Sequence, residues 1–257
     1  VGTKYQNNNW TLDLSNTFGS NVFNYDVSNT NNASMGAQSP TEFNAGSHGF
    51  LQNTFNVDVS KKINNFNIAF GGEWRFEQYQ IKSGEEASYK NYGLVSGAAG
   101  GAQSFIGFSN DNALKKSRNS EALYADVSYD LEKFNVDAAA RFENYSDFGS
   151  ALTGKLALRY ELFNNFSLRG AVGTGFRAPS LQQQYFNNSY SDISTSGSGI
   201  VNKGIFTNDS AIAQEIGFDK LKEEKSVNAS AGFTFKPVDK LFITLDGYLI
   251  KVKDRIV

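Results

Sequence analysis

The stretch FNIAFGGEWRFE, residues 66 to 77, alternates strictly. Phe66, Ile68, Phe70, Gly72, Trp74 and Phe76 fall on one face. Asn67, Ala69, Gly71, Glu73, Arg75 and Glu77 fall on the other. Successive side chains of a strand point to opposite faces, so this period of two reads as a β-strand with one apolar and one polar side. The same rule recurs along the chain and gives about ten strands. One sets Leu123, Ala125, Val127, Tyr129 and Leu131 against Tyr124, Asp126, Ser128 and Asp130. Others are centred on Phe134–Glu143, Leu152–Leu162, Phe166–Val172, Val227–Phe235 and Leu241–Leu249. Three more are expected early, at Trp10–Phe18, Val22–Ser28 and Phe50–Ser60.

The apolar faces stay free of charge over about nine to eleven residues, the length a tilted strand needs to cross a bilayer. The polar faces carry charges of both signs: Asp58, Glu73, Arg75, Glu77, Asp126, Asp130, Asp137, Arg141, Glu143, Lys155, Arg159, Glu161, Arg169 and Asp246. A soluble sandwich also alternates, so the connections decide. Short links are expected at Gly19–Asn21, Lys61–Asn65, Glu132–Lys133, Asn164–Asn165 and Val238–Lys240. Longer ones fall between them, at Asn29–Gly46, Ser83–Ser117, Tyr145–Gly149 and Arg177–Lys220. Short turns on one side and long loops on the other are the habit of an outer-membrane barrel. The expected fold is therefore all-β, an antiparallel transmembrane β-barrel. Lys251 and Lys253 point outward about ten residues beyond their turn, which puts them at the outer rim, where charge costs only ~0–1 kcal/mol.

Composition agrees. Aromatics make up 14% of the 257 residues, with 22 Phe and 12 Tyr, which suits strands better than helices. The net charge of −2 and the lack of a dense Lys/Arg run argue against a nucleic-acid partner. There is no cysteine and one histidine, so thiolate chemistry and a His-rich metal site are excluded, and no cofactor is expected. The chain starts at Val1 without a signal peptide and reads as part of something longer.

Few residues suggest chemistry. His48 lacks a partner for catalysis and reads as a surface polar residue. Glu85, Glu86, Asp209 and Asp219 lack calcium-loop spacing and read as solvated. GTGFRA, residues 173 to 178, fits a dinucleotide fingerprint, with Asp192 near the ribose-ligand spacing. That motif needs a crossover helix, whereas Gln, Asn, Ser and Gly follow here. The reading is instead a strand that leaves the membrane near Gly173–Gly175, with Pro179 ending sheet pairing. An enzyme is not expected. Tyr79, Tyr89, Tyr92, Phe105, Phe108, Tyr185, Phe186 and Tyr190 lie in the long loops, where amphipathic aromatics either contact a ligand or pack the loops together.

Three runs resemble the later barrel of TonB-dependent outer-membrane receptors: GTGFRAPSLQQQYF (173–186), LKEEKSVNASAGFTFKP (221–237) and ITLDGYLIKVKDRIV (243–257). SPTEFNAG (39–46), FGGEWRFEQYQIKSGEEASY (70–89) and RFENYSDFGSALTGKLALRY (141–160) agree, so the likeness covers nearly the whole chain. The resemblance implies that residues 1–257 are about ten strands of one barrel domain that has twenty-two in all. The plug domain, TonB box and signal peptide are expected outside this chain. It further implies uptake of a scarce nutrient, a ferric siderophore, cobalamin or an oligosaccharide, across a Gram-negative outer membrane. The implied partners are outer-membrane lipid or lipopolysaccharide, the receptor's own plug domain, the TonB complex and a small-molecule ligand. Haem is disfavoured, because no NPNL-type box or nearby histidine follows the FRAP element. Arg177 matches the arginine of that element. With Tyr79, Tyr89, Tyr92, Gln183, Tyr185, Phe186 and Tyr190 it makes up the expected substrate-binding set. A plugless porin or adhesin is the alternative, and a soluble carbohydrate-binding protein a more distant one.

Overall fold

The computed structural model describes residues 1–193 and 200–256. The strands are β1 (Gly2–Asn7), β2 (Trp10–Ser28), β3 (Glu42–Ile63), β4 (Phe66–Lys82), β5 (Leu114–Asp130), β6 (Phe134–Tyr145), β7 (Gly149–Phe163) and β8 (Phe166–Arg177). A small separate hairpin of β9 (Asn188–Ile193) and β10 (Ile200–Ile205) follows, then β11 (Glu224–Val238) and β12 (Leu241–Lys253). All but the hairpin join one ten-stranded antiparallel sheet in the order β1-β2-β3-β4-β5-β6-β7-β8-β11-β12. Apart from the β9–β10 excursion between β8 and β11, each strand of the sheet lies beside its neighbours in the chain, as in an up-and-down barrel wall. Among the described residues no helix is long and apolar enough to cross a membrane.

One early boundary differs from expectation. β2 runs unbroken through Gly19–Asn21, and the first turn is at Asn8 and Asn9, whose φ angles are 44° and 68°. Asparagine tolerates this left-handed region, so two asparagines close a tight turn as well as glycine does. Gly19 carries no such angle and passes as an extended residue. The same chemistry turns β3 into β4, where Asn64 has φ 49°. The short–long alternation of links survives this shift. Tight turns close β1–β2, β3–β4, β5–β6, β7–β8 and β11–β12 at one end of the wall. The β2–β3, β4–β5, β6–β7 and β8–β11 connections lie at the other end.

The outer face is an apolar belt. Leu123, Leu152 and Leu249 are 68%, 72% and 70% exposed, and Phe70, Trp74, Phe142, Leu156 and Val172 stand out beside them. Such an area has no place in water and suits lipid. The inner face is a ladder of ion pairs. Arg75 and Arg141 meet Glu73 at 2.6 and 3.4 Å, Arg141 also meets Glu143 at 2.7 Å, and Lys155 meets Asp137 at 2.6 Å. Two glycines let side chains lie flat across a whole strand. Gly71 of β4 leaves room for the Tyr124 hydroxyl of β5 to donate to Asp58 of β3 at 2.5 Å. Gly232 of β11 does the same for Arg169 of β8, whose guanidinium reaches Asp246 of β12 at 2.5 and 2.7 Å. A Cβ at Gly71 would come within 2.7 Å of the Tyr124 ring, and one at Gly232 within 2.1 Å of the Asp246 carboxylate.

Candidate functional site

The loop end of the wall is folded. The β2–β3 and β4–β5 connections interlock around Asn32, which is fully buried. Its amide donates to the carbonyls of Ala87 and Lys90 at 2.8 and 2.9 Å, and its Oδ1 accepts from the Ser34 hydroxyl at 2.6 Å. The Ser34 hydroxyl oxygen in turn accepts from the Tyr92 amide at 3.0 Å. An asparagine has both donors and acceptors, so one buried side chain satisfies backbone from two loops. The short helix α1 (Glu86–Tyr89) lies within this structure.

Beneath it sits an aromatic cluster. Tyr79, Ile81, Phe108 and Leu181 are almost wholly buried, with Tyr25, Phe105, Leu114, Tyr185 and Phe186 packed against them. Phe108 meets Phe186 and Phe105 edge-on at centroid distances of 6.1 Å, a favoured aromatic geometry. His48 belongs here, half-buried against the cluster rather than free on the surface. It pairs with Ile81 on the inner face, contacts the rings of Phe23, Tyr25, Tyr79 and Phe186, and lies 3.3 Å from the Tyr25 hydroxyl.

The next connection begins at Pro179, which is fully buried. Ser180 caps the short helix α2 (Leu181–Tyr185) and forms a reciprocal capping box with Gln183. The Gln-rich run therefore opens its loop as a helical turn. Arg118 fastens it to the wall. This arginine is 4% exposed, lies 2.5 Å from Glu77 and 3.3 Å from Asp147, donates to the Pro179 carbonyl at 2.7 Å, and stacks over Tyr145. A second tie follows, in which the Asn112 amide donates to Asn187 Oδ1 at 2.7 Å. Arg118 and the two asparagines fall outside the alternating segments read from sequence, and their hydrogen-bond partners lie 29 to 75 residues away, so no local pattern marks them.

Further along, α3 (Ala211–Glu215) and the turn after it line a cavity of about 800 Å³. Its apolar walls include Phe186, Ile205, Phe206, Ile212, Ile216 and Phe218. Gln182, Gln183, Asn208, Lys220, Lys222 and Arg255 supply polar groups. Size and lining match a small-molecule site.

The expected binding residues thus divide. Gln183 and Phe186 line the cavity. Tyr185 lies under Lys116, whose Nζ is 5.0 Å from its ring centre, and burial holds its hydroxyl above the ordinary tyrosine pKa. Arg177 stands on the inner face, 2.7 Å from Glu224. Tyr89 and Tyr92 are half-buried in the interlocked loops, with Lys90 held between Glu86 and the Tyr92 ring. Tyr79 is buried beneath the loops. Tyr190 pairs with Lys203 in the β9–β10 hairpin, and its side chain is outside the described residues. Among the described residues no group of three His, Cys, Asp or Glu could hold a metal ion.

Comparison with known proteins fits this architecture. The siderophore receptor PirA from Acinetobacter baumannii superposes with a TM-score of 0.60 at 16% identity, over 96% of this chain and 32% of that one. The ferric yersiniabactin uptake receptor FyuA from Yersinia pestis gives 0.55 at 11% identity, over 98% and 35%. The vitamin B12 transporter BtuB of Vibrio cholerae is 32% identical over 68 residues, 26% of this chain and 11% of that protein. The chain thus spans about a third of the receptors it superposes on. A profile of the family described as TonB dependent receptor-like, beta-barrel, matches residues 1–257. With an apolar outer belt, a charged inner wall and folded loops at one end, this chain belongs to the TonB-dependent receptor β-barrel family.

Proposed function

We propose that the chain is one wall of an active nutrient transporter in the outer membrane of a Gram-negative bacterium. The observation that carries this is the pairing of a lipid-suited outer belt with a loop-lined cavity at the end opposite the tight turns. In this reading the ligand, a ferric siderophore, cobalamin or an oligosaccharide, enters from the loop side. Gln183 and Phe186 contact it, with Tyr185, Arg177 and Tyr190 nearby and Tyr89 and Tyr92 reaching it from the interlocked loops. Tyr79 acts from below as support. The plug domain and TonB box belong to the rest of the protein, and TonB supplies the energy. No bond in the ligand is made or broken. Loop and plug positions shift population as ligand and TonB bind.

The test is uptake by cells carrying the full-length protein. Labelled ferric siderophores, cobalamin and oligosaccharides are offered with and without a protonophore. Accumulation of one of them that stops with the protonophore supports the proposal. Passive entry of all small solutes makes the protein a porin, and entry of none makes it a surface-binding protein.

A further inference from the structure

The short helix α2 has two faces, and its three glutamines are divided between them. Leu181, Gln184 and Tyr185 turn toward the wall. Leu181 is buried in the aromatic cluster, the Gln184 amide donates to Asp147 at 3.0 Å, and Lys116 lies over the Tyr185 ring. Positions three and four apart share a helix face, so Gln182, Gln183 and Phe186 fall on the other side. These three line the cavity, Phe186 while also packing against the cluster. Two residues of β5 hold the turn in this orientation. Arg118 grips its start at the Pro179 carbonyl, and Lys116 meets its end at Tyr185.

Within the turn, Gln183 is oriented by Ser180. Its Oε1 accepts from the Ser180 backbone amide at 3.1 Å and from the Ser180 hydroxyl at 3.3 Å. The Ser180 hydroxyl oxygen in turn accepts from the Gln183 backbone amide at 3.0 Å. A backbone N–H only donates, so the oxygen of the Gln183 side chain, and not its nitrogen, is the atom turned toward Ser180. The nitrogen is left on the far side. Gln183 Nε2 carries two donors and has no hydrogen-bond partner among the described residues.

We propose that Gln183 is a specificity-determining donor of the binding site, with Ser180 as its positioning residue. Nε2 donates to a ligand oxygen that only accepts, such as a carbonyl, a carboxylate or an oxygen bound to a metal ion. The assignment rests on the transport reading above. A donor already held in place loses little rotamer freedom when the ligand arrives. It also discriminates, because a ligand that brings a donor to the same point leaves both groups unpaired.

The test is Gln183→Glu in the full-length protein. A glutamate at this position still accepts from Ser180 and keeps the capping box, so the turn stands. It replaces the donor by a second acceptor. Cells are offered the labelled ferric siderophores, cobalamin and oligosaccharides of the uptake experiment, and the compound that accumulates is titrated. Half-saturation is expected to rise on the order of 10-fold, while the maximal rate and the melting temperature of the purified receptor hold. An unchanged half-saturation overturns the proposal, and so does a loss that comes with a lower melting temperature. Ser180→Ala frees the amide to rotate and should raise half-saturation several-fold in the native background. It should add nothing to Q183E, whose two carboxylate oxygens are equivalent; equal effects in both backgrounds overturn the positioning role. If Q183E does not assemble, Gln183→Met, similar in length and without a donor, is expected to show the same rise. Saturable uptake that these variants leave untouched defeats only this assignment, whereas passive or absent uptake by the native protein defeats the transport reading as well.

Discussion

The two loop regions above the wall are built differently. Residues 29–41 and 83–113 tie themselves together from inside. Asn32, Ser34, Ser88 and Phe108 are completely buried, and backbone bonds such as Leu94 N to Ser34 O at 2.9 Å and Ser34 N to Ala99 O at 3.2 Å lock one connection onto the other. The connection from Ala178 to Glu223 is held at its start, by Arg118 and by the Asn112–Asn187 pair. Beyond that it turns apolar side chains outward: Ile205, Ile212, Ile216 and Phe218 are all exposed. Water makes such a surface costly, so it has a use when covered. The first region is a finished scaffold, and the second presents an open apolar surface, which the proposed function assigns to the ligand.

The largest effect should come from breaking the tie that holds the second region to the wall. Arg118→Ala leaves Glu77 and Asp147 facing each other without their cation, and removing one partner of a buried ion pair costs about 3–5 kcal/mol. Amides of 178–187 are expected to lose their hydrogen-exchange protection while β2–β4 keep theirs; unchanged protection would mean that Asn112 and Asn187 suffice. Asn32→Ala attacks the scaffold. It strips partners from the Ala87 and Lys90 carbonyls and should cost about 1–3 kcal/mol, read as faster exchange across 87–102 with the segment after Pro179 unaffected. The reverse pattern would erase the distinction drawn here. On the open side, Phe218→Ser should change stability by less than about 0.5 kcal/mol, because its ring already meets solvent. Ligand affinity, measured by titration, should fall all the same; a stability loss without an affinity loss would show Phe218 to be packing. The smallest effect is expected from Tyr79→Phe. The Tyr79 hydroxyl is buried with no hydrogen-bond partner among the described residues, so its removal should leave melting and ligand binding almost unchanged.

The wall was legible in the sequence and the loops were not. Phe66–Glu77 states its two environments at every second residue, because lipid and lumen impose opposite demands on adjacent side chains. A slip of one residue would reverse them all, which pins the register. The early misplacement came from reading Gly19 as a turn when Asn8 and Asn9 make it. Loop structure obeys no period. Arg118 meets Pro179 and Asn32 meets Lys90 only because the folded wall brings distant segments to one end. The aromatics of the expected site were visible as a set. Their division into buried support (Tyr79), half-buried loop residues (Tyr89, Tyr92) and cavity lining (Phe186) depends on neighbours from other loops.

The sheet order has a consequence for assembly. Because β1 to β8 pair in chain order, each hairpin can zip onto the one before it with little chain to close. The β8–β11 step is the longest: it spans from Arg177 to Glu224, against Lys82 to Leu114 for β4–β5 and only Tyr145 to Gly149 for the β6–β7 link. On a logarithmic closure law it is dearer than the β6–β7 link by on the order of 2 kcal/mol. The β9–β10 hairpin, local and paired with itself, shortens the chain left to search, and Arg118 gripping Pro179 fixes its near end. Insertion of the β11–β12 hairpin is thus the step, among the described strands, where this wall should pause.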